Sequence, residues 1–277
     1  ILMIIGSVSE NKDTEKRISV TPDNVKKFIS NGFKVYLEKN YGEHLDINDE
    51  KFSENGAEFF SDKEKIIKDS DILLQLNLPH ENDLKYLSPN KNLIGVFDPT
   101  NNKDRITKLS ANNINVFSLE LLPRITRAQS MDILSSQANL AGYKAVVDAF
   151  SFFNKAIPMM MTAAGTIPAA KVLVVGAGVA GLQAIATAKR MGAIVFATDV
   201  RMASKEQVES LGGKFLVVEG SENLETSGGY AKETSDEFKK KQEELLVETL
   251  KKIDIVICTA LIPGKKAPVI IKREMIN

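Results

Sequence analysis

Lys171-Val172-Leu173-Val174-Val175 runs directly into Gly176-Ala177-Gly178-Val179-Ala180-Gly181, and this stretch decides the fold. The first five residues predict a buried strand, and the glycines form a G-x-G-x-x-G pattern that opens a helix. Gly176 permits a tight turn, Gly178 lets the backbone approach a pyrophosphate, and Gly181 lets helix and strand pack closely. The helix N-terminus adds N–H groups and the positive end of a dipole. With a strand before it and a helix after it, the pattern predicts a dinucleotide site rather than a chance glycine-rich turn.

An acidic residue ends the next predicted strand. Asp199 follows the apolar run 194–198 and lies 18 residues after Gly181. A carboxylate there accepts hydrogen bonds from ribose hydroxyls and repels the 2′-phosphate of NADP. Arg201, two residues on, softens that preference, but the position still favours NAD. The candidate cofactor-binding residues around the turn and this acid are Gly176, Gly178, Val179, Ala180, Gly181, Asp199, Val200 and Arg201.

Short apolar runs alternate with amphipathic segments on both sides of this motif. Such alternation predicts an α/β fold with parallel sheets covered on both faces. We therefore expect two Rossmann-like, doubly wound domains. The predicted strands span 1–5, 34–38, 71–76, 92–97, 115–119, 171–175, 194–198, 214–218 and 254–259; predicted helices include 22–31, 79–87, 131–154, 181–191, 205–211 and 236–252.

The chain is long enough for two domains. At about 150 residues per domain, 277 residues correspond to roughly two. The longest proline-free pattern, 131–154, would form a helix of about 36 Å, long enough to bridge two domains. We expect an N-terminal α/β domain over 1–133, a nucleotide-binding domain over 134–277, and a cleft between them.

Composition excludes several classes of function. The 36 basic and 36 acidic residues give a net charge of zero, which offers no general attraction to nucleic acid or anionic lipid. A single cysteine, Cys258, excludes an internal disulfide framework and fits a reducing compartment. With only His44 and His80 as histidines, we predict no metal site.

An uncharged region in the middle of the chain resembles a membrane span at first sight. The stretches 156–170 and 172–188 together are long enough to cross a bilayer, but Lys171, two prolines and several glycines interrupt them. A membrane-spanning helix needs about 20 continuous apolar residues. The pattern instead predicts a loop, a buried strand and a closely packed helix.

Two polar segments allow more than one interpretation. By composition, 220–235 is a mobile surface loop in which Tyr230 either folds over a nucleotide as a lid or belongs to a plain connector. The segment Pro123–Asp132 carries two arginines, a glutamine and an aspartate ahead of the long helix. It either faces a cleft that holds a nicotinamide, or Ser130 or Asp132 simply caps the helix.

Specific stretches resemble a known family, the NAD(H)-binding component (domain I, alpha subunit) of proton-translocating NAD(P) transhydrogenase. The similarity covers nearly the whole chain and is strongest from Pro123 onward. It is far more specific than the glycine pattern alone. The stretches that carry it are Pro123–Asp132, Leu134–Tyr143, Met159–Thr166, Gly229–Lys232 and Thr259–Lys265.

The resemblance implies a reaction and roles for individual residues. Hydride would pass from NADH on this component to NADP⁺ on a partner component, coupled to proton passage through a membrane component. Arg124, Gln129, Asp132 and Ser135 match the residues that surround the nicotinamide in the family, and Tyr230 matches the tip of its mobile loop. No general acid or base is implied. The resemblance adds Thr259, Ala260 and Leu261 to the cofactor-binding residues.

The resemblance also implies an assembly. It suggests a homodimer, peripheral to the inner membrane on the cytoplasmic or matrix side, that works with the NADP-binding and membrane components. The family continues beyond the equivalent of residue 277 with further strands and a returning helix, so we expect this chain to be partial. The sequence does not indicate whether the other components share its polypeptide.

The related alanine dehydrogenases supply the main alternative. Glu15–Pro22 resembles them, and Arg17 is retained. Their substrate lysine is replaced here by Asn77, and 96–100 lacks their histidine. Without that cation and that acid/base, reduction of an imine to an amino acid is disfavoured. A third hypothesis is a non-catalytic NAD-binding module, which needs the nucleotide site but no partner nucleotide.

Overall fold

The computed structural model of the protein describes residues 2–218, 235–261 and 266–276. The chain forms two compact units, Ile1–Asp132 and Ile133–Asn277. Each unit has its own parallel sheet and its own buried clusters.

The first unit is built on a six-stranded parallel sheet. Its order, counted by strand number along the chain, is 3-2-1-4-5-6, which is the Rossmann order. The strands are β1 (Ile4–Ser7), β2 (Lys34–Glu38), β3 (Ala57–Phe60), β4 (Ile72–Leu74), β5 (Asn92–Gly95) and β6 (Asn115–Ser118), and the helices are α1 (Pro22–Ser30), α2 (Asp49–Ser53), α3 (Lys63–Asp69), α4 (Glu81–Leu84) and α5 (Lys103–Ala111).

Two hydrophobic clusters stabilise the first unit. One contains the fully buried Ile66 of α3 together with Leu73 and Leu93 of the central strands. The other contains Val25 of α1 and Val35 of β2. The apolar positions of each helix therefore lie against the sheet, as the helical spacing of these residues predicts.

The second unit repeats the first half of this topology. It contains a four-stranded parallel sheet in the order β11-β10-β9-β12, with a separate antiparallel hairpin, β7-β8. The elements are α6 (Ile133–Phe152), β7 (Met160–Thr162), β8 (Gly165–Ile167), β9 (Lys171–Val175), α7 (Val179–Arg190), β10 (Ile194–Thr198), α8 (Ser204–Ser210), β11 (Lys214–Phe215), α9 (Asp236–Leu250) and β12 (Ile255–Cys258).

Both faces of the central strand β9 are buried. Val172 and Val174 belong to the cluster that includes residues of α6 and α7, while Leu173 and Val175 pack with Leu246 of α9. A strand covered on both faces has a continuous apolar run rather than an alternating one. The predicted fold class, α/β with Rossmann-like parallel sheets, is confirmed in both units.

Several predicted boundaries are corrected. The first strand begins at Ile4 rather than at residue 1, and α7 begins at Val179, two residues before its predicted start. The expected loop in 156–170 contains the β7-β8 hairpin. The sequence analysis missed β3, α2 and α3. Among the described residues, no helix is long and apolar enough to span a membrane.

Candidate functional site

The glycine turn has the backbone geometry that its sequence requires. Gly176 has φ +97°, in the left-handed region that disfavours other residues. A Cβ on Gly181 would lie 1.8 Å from the carbonyl oxygen of Gly176, so only glycine allows α7 to begin this close to β9. These two glycines shape the turn itself.

Gly178 has different surroundings. A Cβ there would meet a single described atom within 4 Å, Nη2 of Arg201 at 3.9 Å. Gly178 is also the N-cap of α7, and no side chain in the described part of the chain caps that helix start. Val179 and Ala180 form the first turn, and Val179 is 38% exposed. The open backbone and uncapped N–H groups fit a phosphate ligand.

Asp199 is held next to this turn by hydrogen bonds. Its Oδ2 accepts from the backbone N–H of Ala177 at 2.7 Å, which ties the end of β10 to the glycine turn. Its Oδ1 accepts from the backbone N–H of Arg201 at 2.8 Å. Burial alone would raise the pKa of Asp199, but these bonds and the Arg201 guanidinium lower it overall. Asp199 is therefore a buried, ionised acceptor.

A third loop completes the site at the carboxyl edge of the sheet. Thr259 follows β12, and its hydroxyl donates to the carbonyl oxygen of Gly176 at 2.8 Å. The backbone nitrogen of Ala260 lies 2.9 Å from a Cβ built on Gly176. Leu261 is 70% exposed and Val200 is partly buried. The loops after β9, β10 and β12 thus meet where the strand order reverses, the usual ligand position in such sheets.

The Pro123–Asp132 segment folds partly as a 3₁₀ helix, Thr126–Met131, in the first unit. The backbone N–H of Asp132 donates to the carbonyl oxygen of Gln129 at 3.2 Å, and Asp132 Oδ2 lies 4.0 Å from Nη2 of Arg124. The structure therefore brings these three predicted residues together. Ser135 lies in the first turn of α6, in the second unit, and Tyr230 lies outside the described residues.

The position that a dehydrogenase lysine would occupy is held by an amide. Asn77 Nδ2 donates to Oε2 of Glu10 at 3.2 Å. The other oxygen of Glu10 accepts the backbone N–H of Leu76 at 2.7 Å. Arg17 pairs with Glu15 at 2.7 Å. The polar groups at this edge of the first sheet thus bind one another.

The residues of the second unit fit an adenine dinucleotide. An open glycine backbone and uncapped N–H groups suit a pyrophosphate, and an ionised carboxylate at the end of the next strand suits the ribose. Sequence reasoning missed two contributors. Ala177 acts through its backbone and leaves no side-chain signal, whereas Gly142 stood out as the single glycine of the long helix. A Cβ on Gly142 would lie 2.1 Å from the carbonyl oxygen of Ala180, so α6 crosses the first turn of α7 closely.

Fold and site together define a Rossmann-type dinucleotide-binding protein. Comparison with known families makes this more specific. The model "Alanine dehydrogenase/PNT, N-terminal domain" matches residues 6–141, and "Alanine dehydrogenase/PNT, C-terminal domain" matches residues 145–277.

Curated relatives are similar over almost the entire chain. The first portion of the NAD(P) transhydrogenase alpha subunit of Rhodospirillum rubrum, a separate polypeptide, is 47% identical over 99% of this chain and 73% of its own length. The corresponding polypeptide from Rickettsia prowazekii is 45% identical with the same coverage. The crystal structure of transhydrogenase from Sinorhizobium meliloti matches with a TM-score of 0.85 and 43% identity, over 99% of this chain and 74% of that one.

The chain belongs to the alanine dehydrogenase/PNT family and, within it, to the NAD(P) transhydrogenase alpha subunits. The predicted resemblance is confirmed. A structure of L-alanine dehydrogenase, at a TM-score of 0.77 and 18% identity, shares the fold.

Proposed function

We propose that this protein is the NAD(H)-binding component of a proton-translocating NAD(P)⁺ transhydrogenase. In this role it holds NADH while a partner component holds NADP⁺, and a membrane component carries protons. The observation that carries the proposal is the intact Gly176–Gly181 and Asp199 site in a chain that aligns over 99% of its length with transhydrogenase alpha subunits.

The residues of the second unit would hold the adenosine half of the nucleotide. The N–H groups at the start of α7 face the pyrophosphate, and the carboxylate of Asp199 accepts from the ribose. Thr259 fixes the turn by donating to the Gly176 carbonyl. When bound, NADH supplies a hydride.

The remaining residues would position the nicotinamide. We assign this work to Arg124, Gln129, Asp132, Ser135 and Tyr230. The contacts of Asp132 with Gln129 and Arg124 support a preorganised segment. Hydride exchange between two nicotinamides moves no substrate proton, so these side chains need only orient the ring and exclude water.

The proposed assembly is a homodimer of this component, peripheral to the inner membrane on the cytoplasmic or mitochondrial matrix side, with the NADP-binding and membrane components as partners. The names of the relatives, which describe alpha subunits, support the existence of partner subunits.

The decisive experiment mixes the purified protein with an NADP-binding component and follows hydride transfer from NADH to an NADP⁺ analogue. We expect transfer that requires both proteins. Tight NADH binding without transfer would exclude transhydrogenase activity and leave the non-catalytic NAD-binding module.

Alanine dehydrogenase activity is the alternative to be tested in parallel. Asn77 is bound to Glu10 and offers no cation for a substrate carboxylate. We therefore expect no alanine from pyruvate, ammonium and NADH. Measurable alanine formation by this protein would reverse the choice.

A further inference from the structure

The guanidinium of Arg201 occupies the acceptor sites of the proposed ribose-binding acid. Nε donates to Oδ1 of Asp199 at 2.9 Å, and Nη2 donates to Oδ2 at 2.9 Å. The backbone N–H groups of Ala177 and Arg201 take the other two positions, at 2.7 and 2.8 Å. A carboxylate offers about four lone-pair sites, so protein donors saturate Asp199.

The same guanidinium also lies over the glycine turn. Nη2 of Arg201 is the atom nearest to a Cβ built on Gly178, at 3.9 Å. The side chains of Arg201 and Asp199 are only 16% and 7% exposed, so the ion pair is packed into the site rather than extended into solvent. Arg201 thus spans the proposed ribose position and the edge of the proposed pyrophosphate position.

We propose that Arg201 is a displaceable latch that sets both the affinity and the coenzyme specificity of the adenosine pocket. This inference rests on the proposed function. The two hydroxyls of a ribose present a pair of donors, as the guanidinium fork does, and they compete for the same carboxylate oxygens. The backbone donors belong to the fold, whereas the two guanidinium bonds break by rotation of one side chain.

Displacement of the latch has opposite consequences for the two coenzymes. NADH must break the bidentate pair, so Arg201 weakens its binding. The 2′-phosphate of NADPH would face the displaced cation, which offsets repulsion by Asp199. Arg201 therefore narrows the preference for NADH that Asp199 creates.

Calorimetric titration of the full chain tests this. We expect Arg201→Ala to bind NADH roughly 3- to 10-fold more tightly and NADPH roughly 3- to 10-fold more weakly, the scale of a net hydrogen bond. Reduced nicotinamide mononucleotide, which lacks the adenosine, should bind unchanged. The control is Arg190→Ala, which removes the same charge from an exposed position at the other end of α7 and should alter neither coenzyme.

A second variant covers loss of folding, because Arg201→Ala leaves a buried carboxylate without its cation. Arg201→Lys keeps the charge but not the fork, so we expect NADH affinity between those of wild type and Arg201→Ala. Unchanged or weaker NADH binding in whichever variants fold would overturn the latch and leave Arg201 as a structural counter-ion or direct contact. Absence of NADH binding by the wild type would instead overturn the proposed function.

Discussion

At the scale of single residues, two glycines of one turn have opposite surroundings. A Cβ on Gly181 would overlap the Gly176 carbonyl oxygen at 1.8 Å, whereas a Cβ on Gly178 would meet only Nη2 of Arg201, at 3.9 Å. We expect Gly181→Ala to lower the free energy of unfolding by about 2–3 kcal/mol, the usual cost of forced overpacking. Gly178→Ala should fold normally, within about 0.5 kcal/mol of wild type.

The two variants also differ in binding. A methyl at Gly178 stands where a pyrophosphate would approach, so we expect NADH to bind roughly 10-fold more weakly, which corresponds to about 1.4 kcal/mol. Thermal unfolding by circular dichroism and NADH titration separate the two effects. Equal destabilisation in both variants would show that Gly178, too, is required for the fold.

A carboxylate of the first unit gives a prediction about acid stability. Glu15 accepts from Nε and Nη2 of Arg17 at 2.8 and 2.7 Å, and this pairing lowers the pKa of Glu15 from 4.5 to about 2. A carboxyl with a lowered pKa in the folded state stabilises above its unfolded pKa, and that contribution is lost as the pH falls. We expect the wild type to lose stability from about pH 4.5 down to about pH 2, and Glu15→Gln to lose less over that range.

Urea unfolding midpoints measured across this range test the assignment. Glu58→Gln, at an exposed position of β3, is the matched control and should follow the wild type. The same pH dependence in Glu15→Gln and wild type would show that the Arg17 pair contributes nothing measurable.

The residue scale also shows why only some of the site was predictable. The glycine pattern and Asp199 have side-chain signatures that follow from their spacing, and the structure places them together. The N–H of Ala177 has no such signature, because any residue but proline supplies it. The bidentate geometry of Arg201 was also beyond the sequence, since spacing indicates a nearby cation but not where its guanidinium points.

At the scale of elements, the crossing of α6 and α7 fixes the start of the nucleotide-binding helix. A Cβ on Gly142 would lie 2.1 Å from the Ala180 carbonyl oxygen, so Gly142→Ala must push the helices apart. The gain in helix propensity is about 1 kcal/mol, and overpacking costs about 1–3 kcal/mol or more. We therefore expect net destabilisation together with weaker NADH binding.

Asn139→Ala provides the comparison, since residue 139 is on an exposed part of α6 and alanine favours the helix. It should match or exceed wild-type stability and leave NADH affinity unchanged. A Gly142→Ala protein that is as stable as Asn139→Ala would show that the two helices separate at no cost.

Elements with strong apolar patterns were predicted well. The prediction of β2 at 34–38 is met by Lys34–Glu38, and α9 differs from its predicted end by two residues. The missed elements are short and mixed in composition. Strand β3 has four residues at the edge of its sheet, where Ala57 alone is fully buried, so no periodic signal marks it. The all-exposed β7-β8 hairpin likewise lacks an apolar face of its own.

At the scale of the whole molecule, the proposed site draws on both units. The second unit contributes the glycine turn and Asp199, and the first contributes the 3₁₀ helix Thr126–Met131. The sequence pattern predicted two α/β units because each carries a complete strand-helix alternation. The cleft between them stays a prediction, because composition and periodicity act within an element and do not specify how separate units meet.

This division of residues predicts that binding and hydride transfer are lost separately. Gln129 is exposed in the first unit, whereas the proposed adenosine contacts all lie in the second. We expect Gln129→Ala to slow transfer to the NADP⁺ analogue by roughly 10-fold or more, since misplacing a reacting group by about 1 Å costs on the order of 100-fold. NADH affinity should change less than about 3-fold, because most of the binding energy comes from the adenosine half. Ser130→Ala, at the adjacent exposed position of the same 3₁₀ helix, is the control and should transfer hydride at the wild-type rate. Equal losses of rate and affinity in Gln129→Ala would mean that this segment is a binding surface and that the nicotinamide is oriented by other residues.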